Sequence, residues 1–423
     1  MVAAPHSGSG KTLVTLGLLR AFARRAIDLA PFKAGPDYID PAFHRFASGV
    51  DCINLDPWAM RPALLSQLAA SRDGLCVTEA MMGLFDGAVD GTGTAADLSA
   101  LLGLPVVFVV DCSRMAQSIA ALVSGYRNHR PGLNFAGVIL NRIGSARHEK
   151  MMRDAMANID VPVLGAVPSL DSLALPSRHL GLVQAQEHAA IETFIDAAAD
   201  LMEAHCDLDA LAALPFSTPG VGACAPLGPL GQHIAIARDR AFSFIYPHLL
   251  DGWRKAGATL SFFSPLADEA PDQSADAVFL PGGYPELFAG EIAGASGFKA
   301  GMTAAQVRGA TIYGECGGYM VLGNGLIDAD GVRHAMVGML DVETSFAVRN
   351  RHLGYRRLSP CSHWPWPGAL TAHEFHYSQA TSEVGEPLFV AHDANGTDLG
   401  AVGLRKGRVA GSYMHIIDAI EDA

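Results

Sequence analysis

The sequence predicts an α/β protein of two domains. Short apolar runs alternate with longer amphipathic segments, a pattern typical of parallel sheets that helices cover on both faces. Glycine-rich turns at residues 7–12 and 313–318 each follow an apolar run and precede a helical one. Because these turns lie near opposite ends of the chain, we expect each to belong to its own domain.

Composition favours two well-packed cores and excludes some partners. Half of the 423 residues are apolar and 17% are charged, which suits buried sheets rather than disorder. The formal net charge of −13 argues against nucleic acid and anionic membrane surfaces as partners. No apolar run reaches the ~18 residues that a membrane span needs.

The cysteines and the start of the chain predict a cytoplasmic protein. The seven cysteines are odd in number and form no Cys-x-x-Cys motif. This usage argues for a reducing compartment and against a disulfide framework or a thiolate metal site. Residues 1–5 lack the basic start and apolar stretch of a secretory signal. They are short for a first β-strand, so we expect a few residues upstream of them.

The first half of the chain alternates predicted strands with helix-period segments. The first predicted helix, residues 13–26, has Leu13, Leu16 and Leu19 on one side. In open parallel sheets, sites gather at the carboxyl ends of the strands. The predicted strands are residues 29–33, 74–80, 105–111, 135–141 and 161–167.

A segment rich in Ala, Pro and Gly separates two αβ series. Residues 206–231 contain Pro215, Pro219, Pro226 and Pro229 and show no sustained period, so we predict a linker there. The first domain is then residues 1–205 and the second is residues 232–423. Predicted strands of the second domain are residues 233–237, 259–263, 277–280, 310–313 and 409–415.

Residues 7–12 have the features of a phosphate-binding loop. Consecutive backbone N–H groups and a helix N-terminus would point at one anion. Lys11 would reach the β- and γ-phosphates, and Thr12 would hold Mg²⁺. The strict pattern requires Gly where this chain has Pro5. The preceding strand and the following amphipathic helix still favour this interpretation over a chance glycine-rich turn.

Polar side chains follow several predicted strands of the first domain. Asp37 and Asp40 come just after Lys33, and Glu79 ends another strand. Carboxylates at these tips can hold Mg²⁺ or orient an acceptor, and Lys33 can offset phosphate charge. An Asx turn or a solvated turn acid is the alternative for each carboxylate. Asn141 either reads the adenine edge or ends its strand as a turn former.

Cys316 lies in a glycine-rich turn between a predicted strand and a predicted helix. Such a turn suits a nucleophile elbow, and oriented N–H groups at a helix start stabilise a thiolate. Gly282 and Gly283 follow the strand at residues 277–280, and Gly317 follows the cysteine. Their backbone N–H groups could bind an oxyanion.

His415 is the predicted base for Cys316. A single histidine near the end of a chain is more often a surface or core residue. The elbow and the loop of Gly282 and Gly283 (the Gly-Gly loop) favour the catalytic interpretation. Ile417 stands two residues beyond His415, so no carboxylate occupies that place. The pattern therefore predicts a Cys–His pair without an assured third member.

His373, Glu374 and His376 suggest a metal site at first sight. The spacing is not His-Glu-x-x-His, and strand alternation places His373 and His376 on opposite faces. We therefore do not expect zinc there. A polar strand that lines a substrate cleft is the preferred interpretation, and simple strand polarity is the alternative.

Across almost its full length the sequence resembles the cobyrinic and hydrogenobyrinic acid a,c-diamide synthase family. The first half is similar to dethiobiotin synthetase-type ATPase domains, and the second half is similar to class I glutamine amidotransferase domains. The strings that carry the resemblance are residues 7–12, 32–41, 281–287, 314–319 and 373–378.

The resemblance implies a ligase of cobalamin biosynthesis that uses ATP, Mg²⁺ and glutamine. It would amidate the a and c acetate side chains of a corrin precursor. Glutamine would form a thioester and release ammonia in the second domain, and the first domain would activate the substrate carboxylate as an acyl phosphate. The implied partners are ATP, glutamine and a corrin polycarboxylate, and a homodimer is an open alternative to a monomer.

Residue by residue, the resemblance and the spacing together give a set of expected site residues. The glutaminase lacks the His-x-Glu acid of many class I amidotransferases, which leaves the orientation of His415 open. The expected residues are Cys316, His415, Asp37 and Asp40 for catalysis; Gly282, Gly283 and Gly317 for an oxyanion; Ser7, Gly8, Ser9, Gly10, Lys11, Thr12, Lys33 and Asn141 for ATP; Thr12, Glu79 and Asp37 for a metal; and Tyr38, His373, Glu374 and His376 for substrate.

Two kinds of rival function share part of this pattern. Cobyric acid synthase and nickel-sirohydrochlorin a,c-diamide synthase have both domains, so turnover on different substrates must separate them. A partitioning-type ATPase switch would have an extra lysine where this chain has His6, and it would lack the Cys316 elbow.

Overall fold

The computed structural model describes residues 1–169, 177–178, 181–182, 191–216, 222 and 224–420. The chain divides into two compact units, residues 1–58 with 62–224 and residues 59–61 with 225–423. The division falls inside the predicted linker, of which residues 217–221, with Pro219, and residue 223 lie outside the described part. No helix in the described ranges combines the length and apolarity that a membrane crossing requires.

The first unit is built on a seven-stranded sheet in the order β3-β2-β4-β1-β5-β6-β7. All neighbouring strands pair in parallel, which confirms the predicted sheet. The three-residue strand β3 was too short to predict. The strands are β1 (Val2–Ala3), β2 (Leu29–Ala34), β3 (Ile53–Leu55), β4 (Leu75–Glu79), β5 (Val106–Asp111), β6 (Phe135–Ile143) and β7 (Val163–Pro168).

Helices of the first unit bury apolar stripes against this sheet and against each other. Leu16, Leu19 and Phe22 of α1 are buried, and a Cβ on Gly17 would lie 2.5 Å from the backbone oxygen of Ala198 in α7. The helices are α1 (Lys11–Arg24), α2 (Ile39–Ser48), α3 (Pro62–Ala70), α4 (Ala95–Leu102), α5 (Ile119–His129), α6 (Ala146–Met156), α7 (Ile191–His205) and α8 (Leu208–Ala212). The described residues of this unit also contain a small antiparallel pair, β8 (Ser177–Arg178) and β9 (Gly181–Leu182).

The second unit is built on a ten-stranded mixed sheet in the order β11-β10-β12-β13-β22-β21-β20-β17-β18-β23. The ten strands are β10 (His233–Ala237), β11 (Thr259–Phe263), β12 (Ala277–Leu280), β13 (Thr311–Glu315), β17 (His352–Pro360), β18 (Leu370–His376), β20 (Glu386–His392), β21 (Asp398–Lys406), β22 (Val409–Ser412) and β23 (Met414–Ala419). A four-stranded sheet contains β14 (Gly325–Ile327), β15 (Arg333–Ala335), β16 (Val342–Ser345) and β19 (Gln379–Glu383).

Helices of the second unit flank the parallel part of its sheet. Phe298 and Met302 of α11 and Val321 and Leu322 of α12 are buried in one apolar core. The helices are α9 (Pro247–Lys255), α10 (Ala289–Gly294), α11 (Ser296–Val307) and α12 (Gly317–Leu322), with 3₁₀ turns at Pro265–Ala267 and Pro285–Phe288.

The predicted single strand at residues 409–415 is wrong. The chain forms two strands there, β22 and β23, and leaves β-structure at Tyr413. Strand β22 pairs with β13 and β21, whereas β23 pairs with β18. The Ser412 hydroxyl accepts the Met414 N–H at 3.2 Å at the break. Alternation of side chains along one segment cannot reveal that its pairing partner changes.

A short segment from the first half of the sequence belongs to the second unit. The Arg61 guanidinium binds both carboxylate oxygens of Asp418 in β23, at 3.0 and 2.9 Å. Asp418 is fully buried, and the Thr371 hydroxyl of β18 donates to the carbonyl of Ala59. Residues 59–61 therefore form part of the second unit's core rather than an excursion of the first.

Candidate active sites

The predicted phosphate loop opens between β1 and α1. Gly8 and Gly10 have φ values of 83° and 94°, in the left-handed region that favours glycine. A Cβ on Gly10 would lie 2.1 Å from Nδ2 of Asn141, so no other residue fits without moving that amide. Strand β1 is the central strand of the sheet, and helix α1, which begins at Lys11, follows it through this loop.

A cavity of about 680 Å³ lies beside this loop. Ser9 and Tyr38 are not among its lining residues: Ser9 is buried, its hydroxyl donating to the carbonyl of His6 at 2.9 Å, and Tyr38 immediately precedes α2. The expected site residues that line the cavity are Ser7, Gly8, Gly10, Lys11, Thr12, Lys33, Asp37, Asp40, Glu79 and Asn141.

The Lys11 ammonium is directed at backbone carbonyls. Its Nζ donates to the Met82 carbonyl at 2.6 Å and lies 3.4 Å from the His6 carbonyl. Burial lowers the pKa of Lys11, and the charge of Glu79 acts in the opposite direction. An anion in the cavity would stabilise the charged form of this side chain.

A buried cluster of charged side chains forms the floor of the cavity. The Lys33 ammonium lies 2.5 Å from Oδ2 of Asp40 and 3.1 Å from Oε1 of Glu79. The Thr12 hydroxyl donates to the same Glu79 oxygen at 2.8 Å. Oε2 of Glu79 lies 2.7 Å from Nε2 of His44, a residue that sequence reasoning missed because helix α2 brings it to the site from outside any recognised motif.

The two buried carboxyl groups of this cluster have pKa values shifted in opposite directions. Burial and the neighbouring Asp37 raise the pKa of Asp40 well above its usual value. Burial also opposes ionisation of Glu79, but Lys33 and His44 outweigh it and lower the pKa of that carboxyl. A divalent cation among these oxygens would relieve the repulsion between Asp37 and Asp40. The hydroxyl and carboxylate donors are those that Mg²⁺ prefers, so the residues present fit this ion.

Asp37 and Asn141 each make structural contacts as well. Oδ1 of Asp37 accepts the N–H groups of Ile39 at 2.7 Å and Asp40 at 3.3 Å, so it forms the turn that begins α2. The Asn141 amide donates to the Ser9 carbonyl at 2.9 Å and ties β6 to the phosphate loop. Adenine recognition by Asn141 and metal binding by Asp37 stay predictions.

Cys316 occupies a strained turn between β13 and α12. Its φ of 45° and ψ of −105° lie in a region that residues with side chains rarely adopt. The Cys316 N–H donates to the Ser412 carbonyl at 2.8 Å, which fixes the turn against β22. A Cβ on Gly318 would lie 1.9 Å from the Leu280 carbonyl oxygen, so the turn packs directly on β12. This is the geometry of a nucleophile elbow.

The expected partners of Cys316 converge on it. A Cβ on Gly282 would lie 2.4 Å from Cε1 of His415 and 3.3 Å from Cβ of Cys316. A Cβ on Gly317 would lie 3.1 Å from the backbone nitrogen of Gly283. The structure therefore brings the thiol, the imidazole and the expected oxyanion donors into one buried site.

Burial favours the neutral forms of both the thiol and the imidazole. Burial lowers the pKa of His415 to about 3, and His373 and His376 add to the shift. Burial, followed by the charge of Glu286, raises the pKa of Cys316 well above its usual value. A proton transfer from sulfur to nitrogen thus needs stabilisation that glutamine or a nearby acid supplies.

Two carboxyl groups at this site were not singled out by the sequence. Glu315 has one oxygen 4.0 Å from Nδ1 of His415, and Glu286 lies in the 3₁₀ turn after the Gly-Gly loop. Burial raises the pKa of Glu315 to about 8 and that of Glu286 to about 7. Both residues occur in recognised strings, but only the folded arrangement directs them at Cys316 and His415.

The polar strand β18 contributes an ion cluster. Glu374 accepts from Nη2 of Arg356 at 2.6 Å and lies 2.9 Å from Nε2 of His376. His373 is paired in register with His415 of β23. The Cys316 thiol lies 3.8 Å from the Phe375 carbonyl. The strand therefore lines the thiol site, and its contact with substrate stays a prediction.

A metal ion at β18 is not supported by the geometry. Potential ligand atoms of His352, Glu374 and His376 lie within 4.8 Å of one another. The two imidazole rings stack, however, with centroids 4.7 Å apart and planes 8° from parallel. Their lone pairs lie in the ring planes and do not point at one ion, and Arg356 already neutralises the carboxylate.

Comparison with known proteins assigns both halves of the chain. Residues 1–183 match the CobQ/CobB/MinD/ParA nucleotide binding domain, and residues 233–421 match the CobB/CobQ-like glutamine amidotransferase domain. These matches confirm the predicted fold class of both domains.

Curated relatives match over the whole length. A protein of Rhizobium meliloti is 60% identical over 100% of this chain and 99% of its own length. Another, of Brucella suis, is 59% identical over 99% and 98%, and one of Rhodobacter capsulatus is 50% identical over 98% of each chain. Each of the three is named hydrogenobyrinate a,c-diamide synthase. The chain belongs to the hydrogenobyrinate a,c-diamide synthase family.

Proposed function

We propose that this enzyme amidates the a and c acetate carboxylates of hydrogenobyrinic acid, with ATP and glutamine as co-substrates. The observation that supports this most is the presence of two different sites in one chain. One is a phosphate loop beside a buried lysine–carboxylate cluster, and the other is a Cys–His pair at a nucleophile elbow. A relative named hydrogenobyrinate a,c-diamide synthase is 60% identical over the full length of this chain.

Nitrogen release is proposed to occur at the elbow. The Cys316 thiol attacks the side-chain amide of glutamine while His415 accepts the thiol proton. Backbone N–H groups of Gly282, Gly283 and Gly317 stabilise the oxyanion, and the imidazolium returns the proton to the departing ammonia. Water then hydrolyses the thioester and frees glutamate.

Carboxylate activation is proposed to occur in the cavity of the first unit. Lys11 and the backbone of the phosphate loop hold the phosphates, and Thr12, Glu79 and Asp37 would hold Mg²⁺; all of these residues line the cavity. The ion, when bound, neutralises charge on the phosphate oxygens. The substrate carboxylate attacks the γ-phosphate and ADP leaves, which gives an acyl phosphate. Asp37 and Asp40 orient the carboxylate, and Lys33 offsets phosphate charge. Ammonia then displaces phosphate to leave the amide.

The proposal includes finer points of organisation. Residues 1–205 would act as the synthetase domain and residues 232–423 as the glutaminase, working in the cytoplasm on small molecules alone. Size-exclusion chromatography distinguishes a monomer from a homodimer. A partitioning-type switch is disfavoured because His6 occupies the place of its extra lysine and Cys316 has the elbow geometry.

Product analysis tests the choice of substrate. Purified protein with ATP, Mg²⁺ and glutamine is offered hydrogenobyrinic acid, its cobalt-containing counterpart and nickel-sirohydrochlorin, and products are identified by mass spectrometry. We expect two acid-to-amide exchanges on hydrogenobyrinic acid. Turnover of the nickel macrocycle alone would assign the chain to that rival activity.

Cys316→Ser separates the two half-reactions. We expect glutamine-dependent synthesis to fall by at least about 1,000-fold, since the nucleophile is lost, while synthesis from added ammonia continues. Cys361→Ser is the matched control because Cys361 is exposed, and it should keep both activities. Loss of ammonia-driven synthesis in folded Cys316→Ser would contradict the role given to Cys316.

A further inference from the structure

The third member of the Cys–His site is the question that the sequence leaves open. Many class I amidotransferases have an acid two residues after the histidine, but this chain has Ile417 there. Ile417 is fully buried, and its carbonyl lies 2.9 Å from Nε2 of His248. Its side chain cannot orient a charged imidazole.

We propose that Glu315, the residue immediately before the nucleophile, positions His415 and stabilises its imidazolium form during glutamine hydrolysis. This role rests on the proposed function. Oε2 of Glu315 lies 4.0 Å from Nδ1 of His415, and both side chains are almost completely buried.

The backbone fixes Glu315 at this distance. Its second oxygen, Oε1, accepts the N–H of Ile416, the residue after His415, at 3.2 Å. Glu315 is also the last residue of β13, which pairs with β22 at Ser412. The carboxyl group is therefore anchored to both chain segments that hold the imidazole and the thiol.

The separation suits a charge interaction rather than a resting hydrogen bond. At 4.0 Å the carboxylate gains little from a neutral ring, but it attracts the ring strongly once the thiol proton has been transferred. Because the site is buried, this attraction is weakly screened. Glu315 would thus stabilise the imidazolium state more than the resting state, which is what catalysis requires.

The other charged groups around the ring are less suited to this role. Glu374, on β18, already binds Arg356 and His376 through its two oxygens. The charge of Glu374 favours a proton on His415, whereas His373 and His376 disfavour it. Glu286, in the 3₁₀ turn after the Gly-Gly loop, raises the pKa of the Cys316 thiol, and the charge of Glu315 raises it to a smaller extent.

The ionisation of Glu315 gives the proposal a measurable signature. Burial raises the pKa of this carboxyl to about 8, so the carboxylate that the role needs forms as the pH rises through that value. Glutamine hydrolysis should therefore increase with pH and level off above about pH 8. Glu286, with a pKa of about 7, is the other acid that titrates nearby.

The test measures glutamine hydrolysis against pH in wild type, Glu315→Gln and Glu286→Gln. Gln at position 315 keeps an oxygen for the Ile416 N–H but cannot carry charge. We expect kcat to fall about 10- to 100-fold with KM for glutamine unchanged, and the rise of the rate with pH near pH 8 (the limb near pH 8) to disappear. Glu286→Gln should retain that limb.

Each outcome decides the role. A Glu315→Gln protein with unchanged kcat, or with lower kcat and the same limb near pH 8, overturns it. If this variant does not fold, the wild-type profile decides: a rate that is flat between pH 7 and 9 overturns the role. A wild type without glutamine hydrolysis at any pH overturns the proposed function as well, which separates the two failures.

Discussion

Single glycines hold the thiol site together. Gly282 is the clearest case because the missing Cβ leaves room for the His415 ring and for Cys316. The carbonyl of the same residue accepts the Phe244 N–H at 3.0 Å, so the loop cannot retreat easily from the ring. The site is therefore intolerant of one added methyl group.

Gly282→Ala should inactivate the glutaminase selectively. Its Cβ would lie 2.4 Å from Cε1 of His415 and would push the ring or the oxyanion donors out of place. We expect glutamine-dependent synthesis to fall at least about 100-fold while ammonia-driven synthesis remains. Gly294→Ala is the control, since a Cβ there would meet no atom of the described residues within 4 Å beyond its own helix and chain neighbours. Equal activity of the two variants would contradict the packing described.

Residues in local patterns could be predicted from the sequence, and residues in distant contacts could not. The elbow around Cys316 and the loop around Lys11 depend on adjacent residues, so their spacing is visible in the chain. The contact of His44 with Glu79 and that of Glu315 with His415 join different elements. No period or motif contains that information.

At the scale of elements, strands β17 and β18 are joined by a buried ion pair. The Arg356 and Glu374 side chains are 12% and 11% exposed, and Nη2 lies 2.6 Å from Oε2. Burial opposes ionisation of the acid, but hydrogen bonding to His376 and the charge of Arg356 lower the pKa of Glu374 from its usual 4.5 to about 2. The strand that lines the thiol site thus depends on charge as well as on its backbone ladder.

Arg356→Ala should destabilise the second unit by about 3 kcal/mol at neutral pH, because it leaves a buried carboxylate without its cation. A lowered native pKa contributes stability above the unfolded value of 4.5, and that stability is lost as the pH falls towards 2. The difference from wild type should shrink over this range in chemical unfolding.

Lys406→Ala is the matched control for that experiment. Its pair with Asp341 is 61% and 54% exposed, so the loss should stay below about 1 kcal/mol. A cost for Arg356→Ala that does not depend on pH would show that packing of the arginine stem, not its charge, stabilises the strands.

Element prediction worked where one segment has one set of neighbours. The predicted segments 233–237, 259–263 and 277–280 coincide with β10, β11 and β12, and β10 pairs in parallel with both of the others. Prediction failed at residues 409–415, where the chain changes its neighbour at Tyr413. Pairing partners are a property of the folded sheet and are not encoded in alternation alone.

For the whole molecule, the two sites should be separable by mutation. Lys11→Ala should stop amide formation from either nitrogen source by at least about 100-fold, because the phosphates lose their only proposed ammonium contact at the loop. Labelling of Cys316 by a glutamine analogue should persist in this variant. Lys150→Ala, an exposed change on α6, is the control for both assays.

Ammonia-driven synthesis that survives in Lys11→Ala would contradict the phosphate role of the loop.

The two-domain plan itself was predictable, since each αβ series begins with its own strand and contains its own glycine-rich turn. The exchange of residues 59–61 into the second unit was not, because nothing in their composition marks a change of core.

That exchange limits how the glutaminase can be used as a stand-alone module. A truncation product beginning at residue 225 omits the tripeptide that neutralises Asp418 and that contacts the Ala225 carbonyl through Arg61. Such a product would bury the Asp418 carboxylate without its arginine partner on β23, the strand that contains His415. Expression of the second unit alone therefore requires that residues 59–61 be supplied with it or that Asp418 be replaced by a neutral residue.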